Sequence, residues 1–104
     1  MPRAENGKQR YAVHLAGTVA KRMRHIQRLA ARQGQGEAVL AAFRQIVQRL
    51  EEEPLVFGEP LYRLPALRMQ VRHGSVRPLF INFAVCEDRP LVFIKGVKLF
   101  PESP

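Results

Sequence analysis

The chain has 104 residues, enough for one hydrophobic core and too few for two. Its 17 Lys and Arg residues outnumber 9 Asp and Glu, a net charge of +8, and the excess of Arg over Lys favours a partner that carries phosphate groups. The single cysteine, Cys86, excludes an internal disulfide framework, and no apolar stretch is long enough for a membrane span, so we expect a cytoplasmic protein without a membrane partner.

The first half of the chain predicts a strand and two helices. Residues 1–10 are polar and predict a flexible N-terminal tail rather than a signal peptide. Alternating apolar residues over 11–15 predict a short strand, and Thr18 is the predicted N-cap of the helix that follows. Apolar residues spaced three and four apart predict this helix and a second one over about 37–52. Gly34 is predicted to end the first helix. The short link between them predicts an antiparallel helical hairpin.

The second half of the chain changes from a helical period to alternation. Pro54 ends the second helix, and residues 57–60 predict a turn-rich connector. Three strands are then predicted, at 67–72, 79–85 and 91–97. The turns between them are predicted at 73–75 and 87–90. The predicted fold class is therefore α+β, a strand, an antiparallel helical hairpin and a three-stranded antiparallel meander in a single domain over 1–104. We expect the first strand to join this sheet at one side.

Three short motifs follow one another along the second half of the chain. Pro54 precedes FGEPL at 57–61, the predicted hairpin at 67–77 reads LRMQVRHGSVR, and the last strand reads VFIKGV at 92–97. In their order and spacing these motifs resemble the RelE/ParE toxin superfamily of bacterial type II toxin–antitoxin systems. The resemblance spans residues 11 to about 100. It implies the fold of that family, RNA or the ribosome as a target, and a small antitoxin protein as a partner.

The nuclease branch of this superfamily cleaves mRNA on the ribosome, with basic residues of the sheet holding the phosphate. By position, the resemblance implies that Arg77 and Arg72 stabilise the phosphate as catalytic residues and that Arg68 positions it. Gln70 stands where that branch often has another cation. In that branch the last strand typically carries an Arg with a Tyr or His after it, whereas residues 99–101 of this chain read LFP. This departure favours a non-catalytic member of the family.

The residues of the predicted hairpin also indicate one basic patch independently of the family resemblance. Arg68, Gln70 and Arg72 share one face of the predicted strand, because side chains alternate, and Arg77 begins the next strand. Arginine is always protonated and cannot act as a general base, so His73 in the predicted turn is the candidate for acid–base work. The plainer interpretation is that these arginines only solvate the open face of an antiparallel sheet.

A second basic surface is predicted on the first helix, which has five cations and no acidic residue. Lys95 and Lys98 extend this surface on the last strand or, alternatively, protect a sheet edge from aggregation. The candidate nucleic-acid-binding residues are Arg68, Gln70, Arg72, Arg77, Lys95, Lys98, Arg24 and Arg28. The histidines and Cys86 have no metal-ligand spacing, and no cofactor motif occurs, so neither a metal nor a small-molecule cofactor is predicted.

The sequence thus predicts a RelE/ParE-like toxin-family protein that binds RNA or the ribosome through a basic sheet face. An mRNA endonuclease is one form of this prediction. A binding module of the same fold without catalysis, gyrase-directed or detoxified, is the first alternative. A basic scaffold that binds an acidic protein is the second, and a weak dependence of nucleic-acid binding on salt would indicate it.

Overall fold

A five-stranded mixed sheet with two helices on one side forms the fold, which makes the protein α+β as predicted. The computed structural model describes residues 10–99. Its elements in chain order are β1 (Ala12–Leu15), α1 (Gly17–Arg32), α2 (Gly36–Glu52), β2 (Glu59–Leu64), β3 (Met69–Val76), β4 (Leu79–Cys86) and β5 (Leu91–Leu99). The predicted flexible tail lies outside the described residues except for Arg10, which donates to a carboxylate oxygen of Glu51 at 2.7 Å.

The strands lie in the order β1-β5-β4-β3-β2. β1 pairs in parallel with β5, which confirms that the first strand joins the sheet at one side, and the other neighbours are antiparallel. The predicted count of strands is wrong, because β2 begins within the segment predicted as a connector, at Glu59, and continues beyond it. Pro60 suggested a turn, but β2 is the outermost strand, where a missing backbone N–H is tolerated.

The two helices follow the predicted apolar stripes. Each buries residues three or four positions apart: Val19, Met23, Ile26 and Ala30 on α1, and Val39, Ala42, Ile46 and Leu50 on α2. The predicted N-cap is wrong, since α1 begins one residue before Thr18 and its N-cap is Ala16, which makes no side-chain cap. Neither helix in residues 10–99 has both the length and the apolar character that crossing a bilayer requires.

The strand register divides the sheet into two faces. The helix-side face packs under both helices and carries Leu79, Ile81, Phe83, Val85, Val92, Ile94 and Val97. The open face points away from the helices and carries His14, Val71, His73, Phe80, Asn82, Ala84, Phe93, Gly96 and Lys98. Because the pairing fixes which side each residue faces, it also decides which predicted site residues reach solvent.

The predicted hairpin turn at 73–75 is also wrong. These residues continue β3, where His73 pairs with Asn82, and the turn falls at Arg77–Pro78 instead. Gly74 suggested a turn but serves packing: a Cβ at this position would lie 2.7 Å from a ring carbon of Phe57. The glycine therefore marks a close approach of a side chain to the strand and not a change of chain direction.

Candidate nucleic-acid interface

The exposed side of α1 carries a row of cations, here called the α1 stripe. Lys21, Arg24, Arg28 and Arg32 lie three or four residues apart and so share one side of the helix, opposite its buried residues. All four are exposed, and eleven residues of helix separate the ends of the stripe by about 16 Å. None of them forms an ion pair within residues 10–99. The predicted helix surface is thus present as a continuous cationic stripe.

Arg22 connects this helix to the last strand. Its Nε donates to the backbone oxygen of Val97 at 3.3 Å, where β5 extends beyond the end of β1. A cleft of about 220 Å³ lies there and is lined by Arg22 and by Lys95, among others. Lys95 is the extra residue of a bulge in β5, and Lys98 lies further along on the open face. The structure therefore brings Lys95 close to the cationic helix. The alternative prediction, that Lys95 and Lys98 protect a sheet edge from aggregation, concerns only the part of β5 that does not pair with β1.

The carboxylates lie mostly elsewhere. Glu51, Glu52, Glu53, Glu87 and Asp88 surround the end of the sheet where β4 turns into β5 and α2 ends. Most are paired there: Arg10 with Glu51 at 2.7 Å, Arg49 with Glu53 at 3.0 Å, and Arg63 with Glu87 through two hydrogen bonds. The bonds from Arg63 lower the pKa of the Glu87 carboxyl, and the same contact raises the pKa of Arg63. We call this region the mixed-charge end.

The structure does not bring the predicted hairpin patch together. Arg68 precedes β3 and has a left-handed backbone with φ of 51°, so it does not continue the face of Gln70 and Arg72. Those two residues do share a face, but it is the helix-side face, because Arg72 pairs with Phe83. Arg77 is exposed in the β3–β4 turn, five residues and about 16 Å of strand beyond Arg72. These four residues therefore form no common phosphate site.

Arg72 is buried, with 6% of its surface exposed. Its guanidinium donates to the backbone oxygens of Phe57 and Gly58, at 3.3 and 3.2 Å, and to the side-chain oxygen of Gln70 at 2.7 Å. No carboxylate of residues 10–99 forms an ion pair with it, and burial lowers the pKa of the guanidinium. The geometry gives no support to the role predicted for Arg72 as a catalytic, phosphate-binding residue, because its donors are used to fix the segment before β2.

The open face carries features that the sequence patterns missed. His73 Nε2 lies 3.8 Å from a carboxylate oxygen of Glu59, beside a cleft of about 290 Å³ that Phe80 also lines. His73 and Phe80 have ring centroids 5.3 Å apart, and His14 and Phe93 form a second ring pair at 5.4 Å. The signal was the period of two that places His73 on the same face as Val71, and Phe80 on the same face as Asn82. The misplaced turn hid it by taking His73 out of its strand.

The described part of the chain has no cluster of His, Cys, Asp and Glu that could hold a metal ion. Comparisons with models of protein families, with curated proteins and with solved structures find no match to this chain. The case for a function therefore rests on the sequence motifs and on the geometry of the α1 stripe and the open face.

Proposed function

We propose that this protein binds RNA by its phosphate backbone, through the α1 stripe. The observation that carries the proposal is the separation of charge. The stripe faces solvent on a helix without acidic residues, whereas most carboxylates are paired at the mixed-charge end. A surface that only needs solubility mixes both signs, and a row of unpaired cations is what a polyanion requires.

The motifs described above support a narrower proposal, that the protein is a RelE/ParE-like member of a toxin–antitoxin system. The order strand, helical hairpin and antiparallel strands is compatible with this proposal, although the sheet has one more strand than the motifs predict. The proposal includes a small antitoxin protein as partner, RNA or the ribosome as target, and a cytoplasmic location. The surface that meets the target is, in this proposal, the α1 stripe with Lys95 and not the β3 hairpin.

The test of RNA binding removes three cations of the stripe, Lys21→Gln, Arg24→Gln and Arg28→Gln together. The probe is an unstructured RNA of about 12 nucleotides, and its dissociation constant is measured over a range of salt concentrations. We expect at least tenfold weaker binding at low salt. The slope of log affinity against log salt should also become shallower by about 2, since each lost phosphate contact removes about 0.7.

The matched control removes the same charge from other places, with Arg10→Gln, Arg44→Gln and Arg89→Gln. All three arginines are exposed, and none of them belongs to α1. This variant should keep most of the wild-type affinity. Equal losses in both triple variants would mean that net charge rather than the stripe drives binding. No binding by the wild type, or binding that salt hardly weakens, would leave the basic scaffold for an acidic protein as the better account.

One observation favours RNA cleavage as a second candidate function. The Glu59 carboxylate and the His73 imidazole lie 3.8 Å apart beside a cleft on the sheet, and an imidazole next to a carboxylate has the geometry of a general acid–base pair. Cleavage at a 2′-hydroxyl requires proton transfer of this kind. Arg72 is not available to stabilise the phosphate, since its donors are bound to the protein.

A growth experiment separates the binding and cleaving forms of the proposal. The wild type, the triple stripe variant and His73→Gln are each induced alone in bacteria at matched expression. A toxin that cleaves mRNA should arrest growth, and both variants should relieve the arrest, with new mRNA ends seen only for the wild type. Arrest that His73→Gln leaves intact would support a non-catalytic, gyrase- or ribosome-directed module. Growth without arrest would contradict toxicity and leave the RNA-binding proposal to the affinity measurement.

A further inference from the structure

The open face presents two pairs of rings. His73 and Phe80 have centroids 5.3 Å apart and planes tilted by 48°. His14 and Phe93 have centroids 5.4 Å apart and stack with an angle of 26° between their planes. The register places both pairs on the side of the sheet away from the helices, so no helix of the described chain covers them. His14 is exposed, and the other three residues are half-buried.

Small and polar side chains occupy the surface between the ring pairs. Asn82 of β4 and Gly96 of β5 are direct partners there, and Asn82 is exposed. The amide of Asn82 offers both a donor and an acceptor. Phe80 and the partner of Phe93, Ala84, are four residues apart on β4, which separates the two ring pairs by about 13 Å along the strand. One base cannot touch both pairs, so they form two separate stacking positions.

Cations border the same surface. Lys98 is the direct partner of Phe80, and Lys95 is exposed in the bulge between Phe93 and Gly96. Lys95 also lines a cleft with Arg22 of α1. Ring pairs near lysines suit a polyanion with exposed bases, because a base can stack on a ring while its phosphate contacts the ammonium group. A duplex keeps its bases stacked inside and offers none to these rings.

We propose that the open face binds the unpaired bases of single-stranded RNA, one on Phe80 beside His73 and another on Phe93 beside His14, with Lys95 and Lys98 contacting the phosphates. This inference rests on the proposed RNA binding through the α1 stripe and adds the class of RNA, which is single-stranded. The positive charge of the stripe attracts any phosphate backbone, whether single- or double-stranded. The ring pairs supply a preference for strands whose bases are free.

The first test uses the wild-type full chain and two oligomers with the same number of phosphates, about 12 in each. One is an unstructured RNA, and the other has the same ribose-phosphate backbone without bases. We expect the RNA to bind at least tenfold more tightly, since each stacked base contributes about that factor. Equal affinity for the two oligomers would overturn the inference while the proposed function stands. Binding of neither would overturn both.

The second test assigns the effect to the rings through 2-aminopurine, a base whose fluorescence falls when it stacks. The chain contains no Trp that would interfere with the signal. Phe80→Leu and Phe93→Leu keep an apolar side chain without a ring, and Phe43→Leu on α2 is the matched control. Each open-face variant should lose part of the quenching and about tenfold in affinity for the RNA, with unchanged affinity for the base-free oligomer. Quenching that survives in the Phe80→Leu/Phe93→Leu double variant, with folding verified by circular dichroism, would overturn the assignment.

Discussion

A buried arginine without a carboxylate partner is costly, and Arg72 avoids that cost through neutral acceptors. Its fork of donors reaches two backbone oxygens of the segment before β2 and one side-chain oxygen on its own strand. The ring of Phe57 lies in the same layer, stacked on Phe83 at 5.9 Å and under the guanidinium of Arg49 at 4.9 Å from its centroid. Arg72 therefore holds the chain where it passes from α2 to the sheet. A lysine has no planar fork and cannot make the same set of bonds.

Arg72→Ala should consequently destabilise the protein and leave its RNA contacts intact. The buried backbone oxygen of Phe57 and the part-buried one of Gly58 would lose their donor, so we expect the free energy of unfolding to fall by about 3 kcal/mol. Urea denaturation measures this change. Arg24→Ala provides the opposite case on the exposed side of α1, with unchanged stability and weaker RNA binding. If the Arg72→Ala protein kept wild-type stability but no longer bound RNA, Arg72 would be an RNA-contacting residue and not a structural one.

At the scale of elements, the helices could be predicted from sequence because their spacing alone reports which side is buried. Val19, Met23, Ile26 and Ala30 lie on one side, so the cations of α1 had to face solvent, and the α1 stripe followed without tertiary information. Three of the four strands after the helices could be predicted in the same way, from alternation, whereas β2 was missed. These are the parts of the fold and of the candidate site that depend on local pattern.

The parts that could not be predicted depend on how strands meet. Gly58 has a φ of 73°, and a Cβ there would lie 2.0 Å from the backbone oxygen of His73, so this glycine reports the tight contact of β2 with β3 rather than a loop. Gly74 was likewise taken for a turn. Once the turn moves to Arg77–Pro78, His73 reaches the open face and Arg72 turns towards the helices. A shift of this kind turns a predicted phosphate ligand, Arg72, into a buried group.

At the scale of the whole molecule, charge is distributed unevenly around the sheet. The mixed-charge end holds its carboxylates in ion pairs, including the pair of Arg63 and Glu87, which joins the edge strand β2 to the turn after β4. The cations of the α1 stripe have no such partners within the described residues. Loss of carboxylate charge at low pH therefore removes attraction at one end and leaves the repulsion within the stripe unchanged.

The Arg63–Glu87 pair should make a pH-dependent contribution to stability. The pKa of Glu87 is lowered in the folded protein, so the contribution is complete above the unfolded-state value of about 4.3 and is lost as the pH falls through the lower folded-state pKa. Urea denaturation of Arg63→Gln, Glu87→Gln and the double variant gives the coupling between the two residues. It should be favourable and small at neutral pH, because both groups are exposed, and absent at about pH 2. The Arg10–Glu51 pair is present in all three variants, so its contribution cancels in the cycle. Coupling that persists at the acidic pH would mean that the two side chains interact by packing rather than by charge.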